Sequence, residues 1–196
     1  FADLAGERGL MEVRLTGGEP TLHPDFFEIM RRFKERHVYV SVATNGTWNA
    51  ATLQRLCAEP YLWVICSLDG NQATHDHYRP GTFDRIIANL KALKSVNPTA
   101  RIRLTTVLTA RNAGQMFELG RIAAEVQAES ITVIPLRPQV RDPGVKDEMV
   151  AASRFREVIE DLIRAKERYG VPFTTTMETE YKDQIFRDPI VRKRSS

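Results

Sequence analysis

Two hydrophobic periods alternate along the chain. Short runs rich in β-branched and aromatic residues occupy Met11–Thr16, Val38–Ala43, Tyr61–Leu68, Ile102–Leu108 and Ile131–Pro135, with a weaker run at Val171–Thr176. Between them lie segments with helical spacing: Pro24–Arg36, Asn49–Ala58, Phe83–Ser95, Asn112–Gln127 and Ala152–Tyr169. Phe26, Phe27, Met30 and Phe33 fall on one face of the first of these. Phe83, Ile86, Ile87, Leu90 and Leu93 do the same in the third. Strand–helix alternation predicts an α/β fold with a parallel sheet and right-handed crossovers. Five or six such units can curl into a partial (β/α) barrel or lie as an open doubly wound sheet.

Residues 1–176 read as one core domain. The opening segment FADLAGERGL reads as the end of a helix, and residues 177–196 are charged and poorly periodic. The expectation is a central piece of a longer protein, with 177–196 leading toward a further extension.

Composition narrows the function classes. The chain has 196 residues, 42% hydrophobic and 27% charged, which suits a globular domain and not a disordered one. Lys plus Arg is 28 against 25 Asp plus Glu, a net +3 that is too small to imply nucleic acid. No apolar run reaches the roughly 18–20 residues of a membrane span, and no secretory leader is visible. Cys57 and Cys66 both sit in apolar contexts. They read as buried thiols in a reducing compartment, which points to a cytoplasmic protein and excludes a disulfide scaffold or a cluster held by these two alone.

The unusual residues gather after the strands. Thr16-Gly17-Gly18-Glu19-Pro20 follows the first, Thr44-Asn45-Gly46 the second and Ser67-Leu68-Asp69-Gly70 the third. Asn112-Ala113-Gly114 and Pro135-Leu136-Arg137-Pro138 follow the fourth and fifth. In parallel α/β folds these positions share one edge, where ligands bind. Two glycines let a ligand touch backbone, and Pro20 removes a donor, so the first turn offers carbonyls to a cation such as an ammonium group. A phosphate cradle would need rows of N–H groups, and no G-x-G-x-x-G or Walker pattern is present. Alternation puts Arg14 and Arg103 on the polar strand face, as candidates for a carboxylate or other anion. The plainer reading pairs each with a carboxylate such as Glu12 or Glu19.

Other features have ordinary explanations. His75-Asp76-His77 reads as a loop triplet engaged in capping and surface chemistry, with His75 and Arg79 ordering the loop over the site. His23 helps to start a helix, His37 is an exposed strand edge, and Tyr61 and Trp63 are core or lumen packing. The cluster Arg31, Arg32, Lys34 and Arg36 is a solvated helix face. An unrelated barrel lyase or aldolase is disfavoured because no lysine stands at a strand end to form a Schiff base.

The segments VRLTGGEPTLHPDF, VATNGT, SLDGNQATHDHYRPGTFDRIIANLKAL and RLTTVLTARN, in this order, resemble the radical S-adenosylmethionine (SAM) superfamily. The likeness spans about Met11 to Pro138. It is most similar to the branch with a cysteine-rich SPASM extension, which includes peptide maturases and relatives of the molybdopterin-precursor cyclase. The resemblance implies a partial (β/α) barrel in which a 4Fe–4S cluster binds SAM, an electron donor reduces it, and a radical abstracts hydrogen from a substrate such as a peptide. By motif position, Gly17, Gly18 and Glu19 would receive the SAM ammonium and Pro20 would shape the turn. Thr44 and Asn45 would lie beside the methionyl part or substrate, and Ser67 and Asp69 would hold ribose or carboxylate. Ile134 and Pro135 would flank adenine. Arg14, Arg103 and Arg79 are the substrate candidates. The family's C-x-x-x-C-x-x-C loop has no counterpart in this sequence, and its cluster ligands are expected upstream of residue 1. A cluster-free module that binds SAM or a related small molecule is the alternative.

Overall fold

In the computed structural model, which describes residues 2–137 and 147–176, six strands form one sheet. They are β1 (Glu12–Leu15), β2 (Tyr39–Thr44), β3 (Trp63–Ser67), β4 (Arg101–Leu108), β5 (Ser130–Pro135) and β6 (Phe173–Thr175). All neighbouring pairs are parallel and the spatial order follows the sequence order. That order separates the two architectures left open above. A doubly wound sheet reverses its strand order at a switch point and gains helices on both faces. A sheet that always advances in one direction keeps its crossovers on one face, as a (β/α) barrel does. This is therefore an α/β partial barrel.

The helices are α1 (Ala2–Glu7), α2 (Phe26–Lys34), α3 (Ala50–Cys57), α4 (Gln72–Tyr78), α5 (Phe83–Val96), α6 (Met116–Glu125) and α7 (Phe155–Tyr169). Asn49 and Asn71 cap α3 and α4 by accepting the N–H of Thr52 and Thr74. Every strand run expected from the sequence is present, with ends moved by at most two residues. The helix α4 lies in a stretch expected to be loop. The segments expected at Asn112 and Ala152 each begin with a single 3₁₀ turn before α6 and α7. The expected segment 177–196 and Pro138 lie outside the described residues.

One strand face carries the core. Val40, Val42, Val64, Cys66, Ile102, Leu104, Ile131 and Val133 are all at or below 2% exposure. They pack with Met30, Leu56, Ile86, Leu90, Leu93, Met116, Leu119, Val158 and Leu162 from the helices. The opposite face is partly open: Trp63, Ser67, Arg103, Thr105, Val107, Thr132 and Ile134 are half-buried. Tyr61, expected in the core or lumen, is 80% exposed, with φ 53° in the turn before β3. Tyr61 stands in the turn ahead of the strand, before the backbone enters the sheet, so its ring faces solvent. His37 is exposed with φ 59° in the turn before β2. Arg31 and Arg32 both donate to Glu28, and Lys34 donates to Glu59, so the basic cluster is an ion-paired helix surface.

The contact between α6 and α7 is unusually close at Gly120, where an added Cβ would sit 2.4 Å from Ala165 Cβ. Gly120→Ala should therefore lower the unfolding free energy by about 1–3 kcal/mol despite its better helix propensity. Urea denaturation checks this, and Ala165→Gly in the same chain should recover part of the loss. An unchanged midpoint in the single variant would mean that the helices can separate freely.

Candidate functional site

The strand C-terminal ends converge on one edge, and the turn after β1 is fastened there by Glu19. Its Oε1 accepts the N–H of Thr21 at 3.2 Å, the Thr21 hydroxyl at 2.6 Å and the Thr44 hydroxyl at 2.8 Å. Its Oε2 accepts the Asn45 N–H at 2.7 Å. A carboxylate offers about four acceptor positions, so these four bonds leave it little capacity. The Glu19 side chain is thus a brace between the ends of β1 and β2. Any contact it makes to a ligand ammonium has to come mainly from the backbone of the turn.

Thr44 lies behind that brace. It is buried, donates to Glu19, and accepts from the Gly46 N–H at 3.1 Å and from Trp48 Nε1 at 3.0 Å. Its hydroxyl is therefore engaged within the protein on three sides. Asn45 uses its side-chain oxygen on the Thr47 N–H and hydroxyl, at 2.8 and 2.7 Å. Its amide nitrogen makes no hydrogen bond among the described residues.

Gly17 and Gly18 stand exposed in front of this network. Their backbone groups make no hydrogen bonds among the described residues, and a Cβ built on either meets nothing within 4 Å. Gly17 has φ +155°, a conformation that side chains rarely adopt. The turn therefore opens onto the common rim with its backbone free, which a ligand touching main chain requires. Pro20 begins a 3₁₀ turn, Pro20–Leu22, that leads away from the rim. His23 Nδ1 accepts the Asp25 N–H at 3.1 Å just before α2, as expected of a residue that starts a helix.

The other half of the site is on β3 to β5. Strand register aligns Ser67 with Thr105 and Thr105 with Thr132, and one step further Val107 with Ile134. The Val107 N–H reaches Asp69 Oδ1 at 3.4 Å, so Asp69, Val107 and Ile134 line the same stretch of rim. Ser67 makes no side-chain hydrogen bond among the described residues and remains available. Ile134 is half-buried on the open face, whereas Pro135 is buried on the helix side and cannot flank a ligand with it.

Asp69 is 6% exposed and forms an ion pair with Arg79, Nε to Oδ2 at 2.9 Å. Arg79 thus joins the Asp69 side of the rim. His75, expected in surface chemistry, is fully buried on α4. Asp76 does cap, accepting the N–H groups of Thr82 and Phe83 at the start of α5. The sequence signal for α4 is Asn71, a favoured N-cap residue type, whose side chain accepts the Thr74 N–H.

Arg14 and Arg103 do not pair with Glu12 or Glu19. Glu12 accepts the Ser41 hydroxyl at 2.9 Å, and Glu19 is committed as described. Arg103 donates to Ser130 Oγ at 3.2 Å and lies 5.2 Å from the Trp63 ring, which Arg101 approaches at 4.7 Å. Arg14 is exposed and has no ion pair among the described residues. Both guanidinium groups keep donors free on the open sheet face.

The residues present suit SAM but not an iron–sulfur cluster. An exposed backbone turn, a free hydroxyl and an apolar ledge fit an ammonium, a sugar and a flat base. Among the described residues no group of three or more His, Cys, Asp or Glu could hold a metal. Burial pushes the Cys66 thiol up to about 12, with the nearby Glu19 carboxylate adding to the effect. Cys66 Sγ packs beneath Gly46, where an added Cβ would come within 2.8 Å. Cys57 is half-buried, and burial raises it too.

Two outcomes follow from this geometry. Thr44→Val leaves the Trp48 and Gly46 donors unpaired in a buried place and should cost about 1–3 kcal/mol in urea unfolding, with a shift in Trp48 emission. Stability equal to wild type would show that Glu19 holds the turn without it. Iodoacetamide at pH 8 should modify Cys57 well before Cys66, because a thiol near 12 is only about one part in 10⁴ thiolate there. Equal labelling rates by mass spectrometry would contradict the burial of Cys66.

Known proteins resemble this chain in sequence and in fold. The chain is 36% identical over 138 residues to mycofactocin maturase MftC of Mycobacterium tuberculosis, covering 68% of this chain and 34% of that protein. It is 29% identical over 163 residues to an AdoMet-dependent heme synthase of Methanosarcina barkeri, covering 81% and 46%. The chain thus spans between a third and a half of the length of these relatives. The crystal structure of SuiB from Streptococcus suis superposes with a TM-score of 0.76 at 21% identity, over 93% of this chain and 44% of that one. At that identity the likeness shows the shared fold. A family model described as the Radical SAM superfamily matches residues 1–119, more than half of the 196, and the chain belongs to that superfamily.

Proposed function

We propose that this chain is the SAM-binding core of a radical SAM enzyme that modifies a peptide. The observation that carries this reading is the Gly17–Gly18 turn, braced from behind by Glu19 and open in front, on the edge shared by Ser67, Asp69 and Ile134. SAM bound there and reduced by an electron donor through a 4Fe–4S cluster would supply the hydrogen abstraction typical of the superfamily. The described residues provide no ligands for such a cluster, so their part is to bind and orient.

In this reading the backbone of Gly17 and Gly18 accepts the ammonium of SAM, and Asn45 offers its free amide N–H groups to an acceptor of the methionyl part or the substrate. Ser67 takes the ribose or carboxylate beside the Asp69–Arg79 pair, and Ile134 supplies the ledge for adenine. The open face below the rim receives the substrate. Its hydroxyls at Thr105 and Thr132 suit a peptide backbone, and Arg14 and Arg103 offer donors to a carboxylate that the peptide carries. The support for a peptide comes from relatives: MftC is named a maturase, and one SuiB structure, with a TM-score of 0.69, is described as bound to the precursor peptide SuiA. The SPASM-type branch suits the same relatives. No helix among the described residues is long and apolar enough to cross a membrane.

Gly18→Val tests the turn. A side chain there meets open space in the free protein, so stability should change by less than about 0.5 kcal/mol. In the cluster-loaded protein the same side chain stands where the ligand meets the backbone, and SAM affinity should fall by at least about tenfold in titration calorimetry. Unchanged affinity would remove SAM from this turn.

A further inference from the structure

The loop after β3 closes on a circuit of hydrogen bonds through His75, a residue that touches no ligand in the site reading above. The Asp69 N–H donates to His75 Nδ1 at 3.2 Å, so Nδ1 carries no proton. On the other side of the ring, Nε2 lies 3.0 Å from the Thr82 hydroxyl. That hydroxyl has one proton and gives it to the Arg79 carbonyl at 2.8 Å. A carbonyl can only accept, so the Thr82 proton is committed and Nε2–H has to be the donor. Two separate bonds therefore assign the same neutral tautomer.

The circuit closes through the side chains, because Arg79 Nε donates to Asp69 Oδ2 at 2.9 Å. Asp69 and Arg79 are joined twice, directly by carboxylate and guanidinium and again from backbone to backbone across the imidazole. The ring is fully buried and meets Phe83 edge-on, with centroids 5.9 Å apart. Asn112 adds a further tie, donating to the Asp69 carbonyl at 3.3 Å.

We infer that His75 is a positioning residue for ligand binding: locked as the neutral Nε2–H tautomer, it holds the Asp69–Arg79 pair in place at the end of β3. The inference rests on the reading that SAM binds along this rim. The charged and titratable groups that face His75 are Asp69, Arg79 and Asp76. Burial lowers the basicity of the ring most, the two carboxylates oppose that, and Arg79 adds to it. A proton on Nδ1 would set one N–H against another and open the circuit. The ring therefore stays neutral through the ordinary histidine range near 6.5, and the circuit is lost only as pH falls through the lower value that the ring has in the folded protein.

Titration calorimetry of SAM into the cluster-loaded protein compares wild type with His75→Phe and His75→Asn. Phenylalanine keeps the ring and removes both bonds, whereas the asparagine oxygen sits near the Nδ1 position and can still accept from the Asp69 N–H. His75→Phe should weaken SAM by at least about tenfold, and His75→Asn should recover a large part of that loss. Below the ordinary histidine range, wild-type affinity should fall more steeply than that of His75→Asn. Long-range ¹H–¹⁵N spectra of the wild-type protein without SAM should show Nε2 protonated and Nδ1 bare. A protonated Nδ1, or SAM binding by His75→Phe within about twofold of wild type, overturns the inference. Should His75→Phe fail to fold, the spectra and the comparison of pH profiles with His75→Asn still decide it. Wild-type protein that binds no SAM would overturn the site reading itself, whereas a protonated Nδ1 in a protein that does bind would overturn only the role of His75.

Discussion

The carboxylate of Glu19 is the constraint on which the open side of this molecule depends. A turn containing two adjacent glycines has many conformations, and its ordering entropy must be met by something fixed. Glu19 meets it by accepting bonds from its own turn and from Thr44 and Asn45 at the end of the next strand. The brace needs both ends of a parallel pair to lie on the same edge, which the β1–β2 pairing ensures. It also frees the backbone of Gly17 and Gly18, because the holding is done by a side chain from behind.

The second half of the rim is held by different chemistry. Around Asp69 the backbone is tied to His75 and Asn112, and the carboxylate to Arg79. Buried polar groups of this kind are costly unless each finds a partner, and here they form a closed set. The two halves share a design in which charged side chains are spent on holding the loops. Ligand contacts are then left to backbone, hydroxyl and apolar surface. Arg14 and Arg103, on the sheet face below, keep donors free, as does Arg79 beyond its Nε bond to Asp69.

Much of the fold was legible because its signals are local. The alternation in β4, with Ile102, Leu104 and Leu108 against Arg103 and Thr105, reports a sheet with one covered face. The 3.6-residue spacing of Phe26, Met30 and Phe33 reports a helix against it. Helix α4 is seven residues of mostly polar sequence, and its apolar stripe is too short to register as a period. The likeness to the radical SAM superfamily was carried by the turn sequences themselves, which are contiguous and so survive without a structure.

The identity of the residues near the site was thus readable, but the direction of each side chain was not. Whether Glu19 and Thr44 face a ligand or one another depends on the 2.8 Å approach of two strand ends that are 25 residues apart in sequence. Whether His75 is surface or core depends on how α4 settles over Asp69. Sequence by itself determined which segments become strands and helices and that their polar ends share an edge, since backbone periodicity and turn chemistry are properties of neighbouring residues. Only the tertiary structure decided the advancing strand order, the inward turn of Glu19 and Thr44, and the tautomer of His75, because each of these is settled by hydrogen bonds between groups that the chain brings together only on folding.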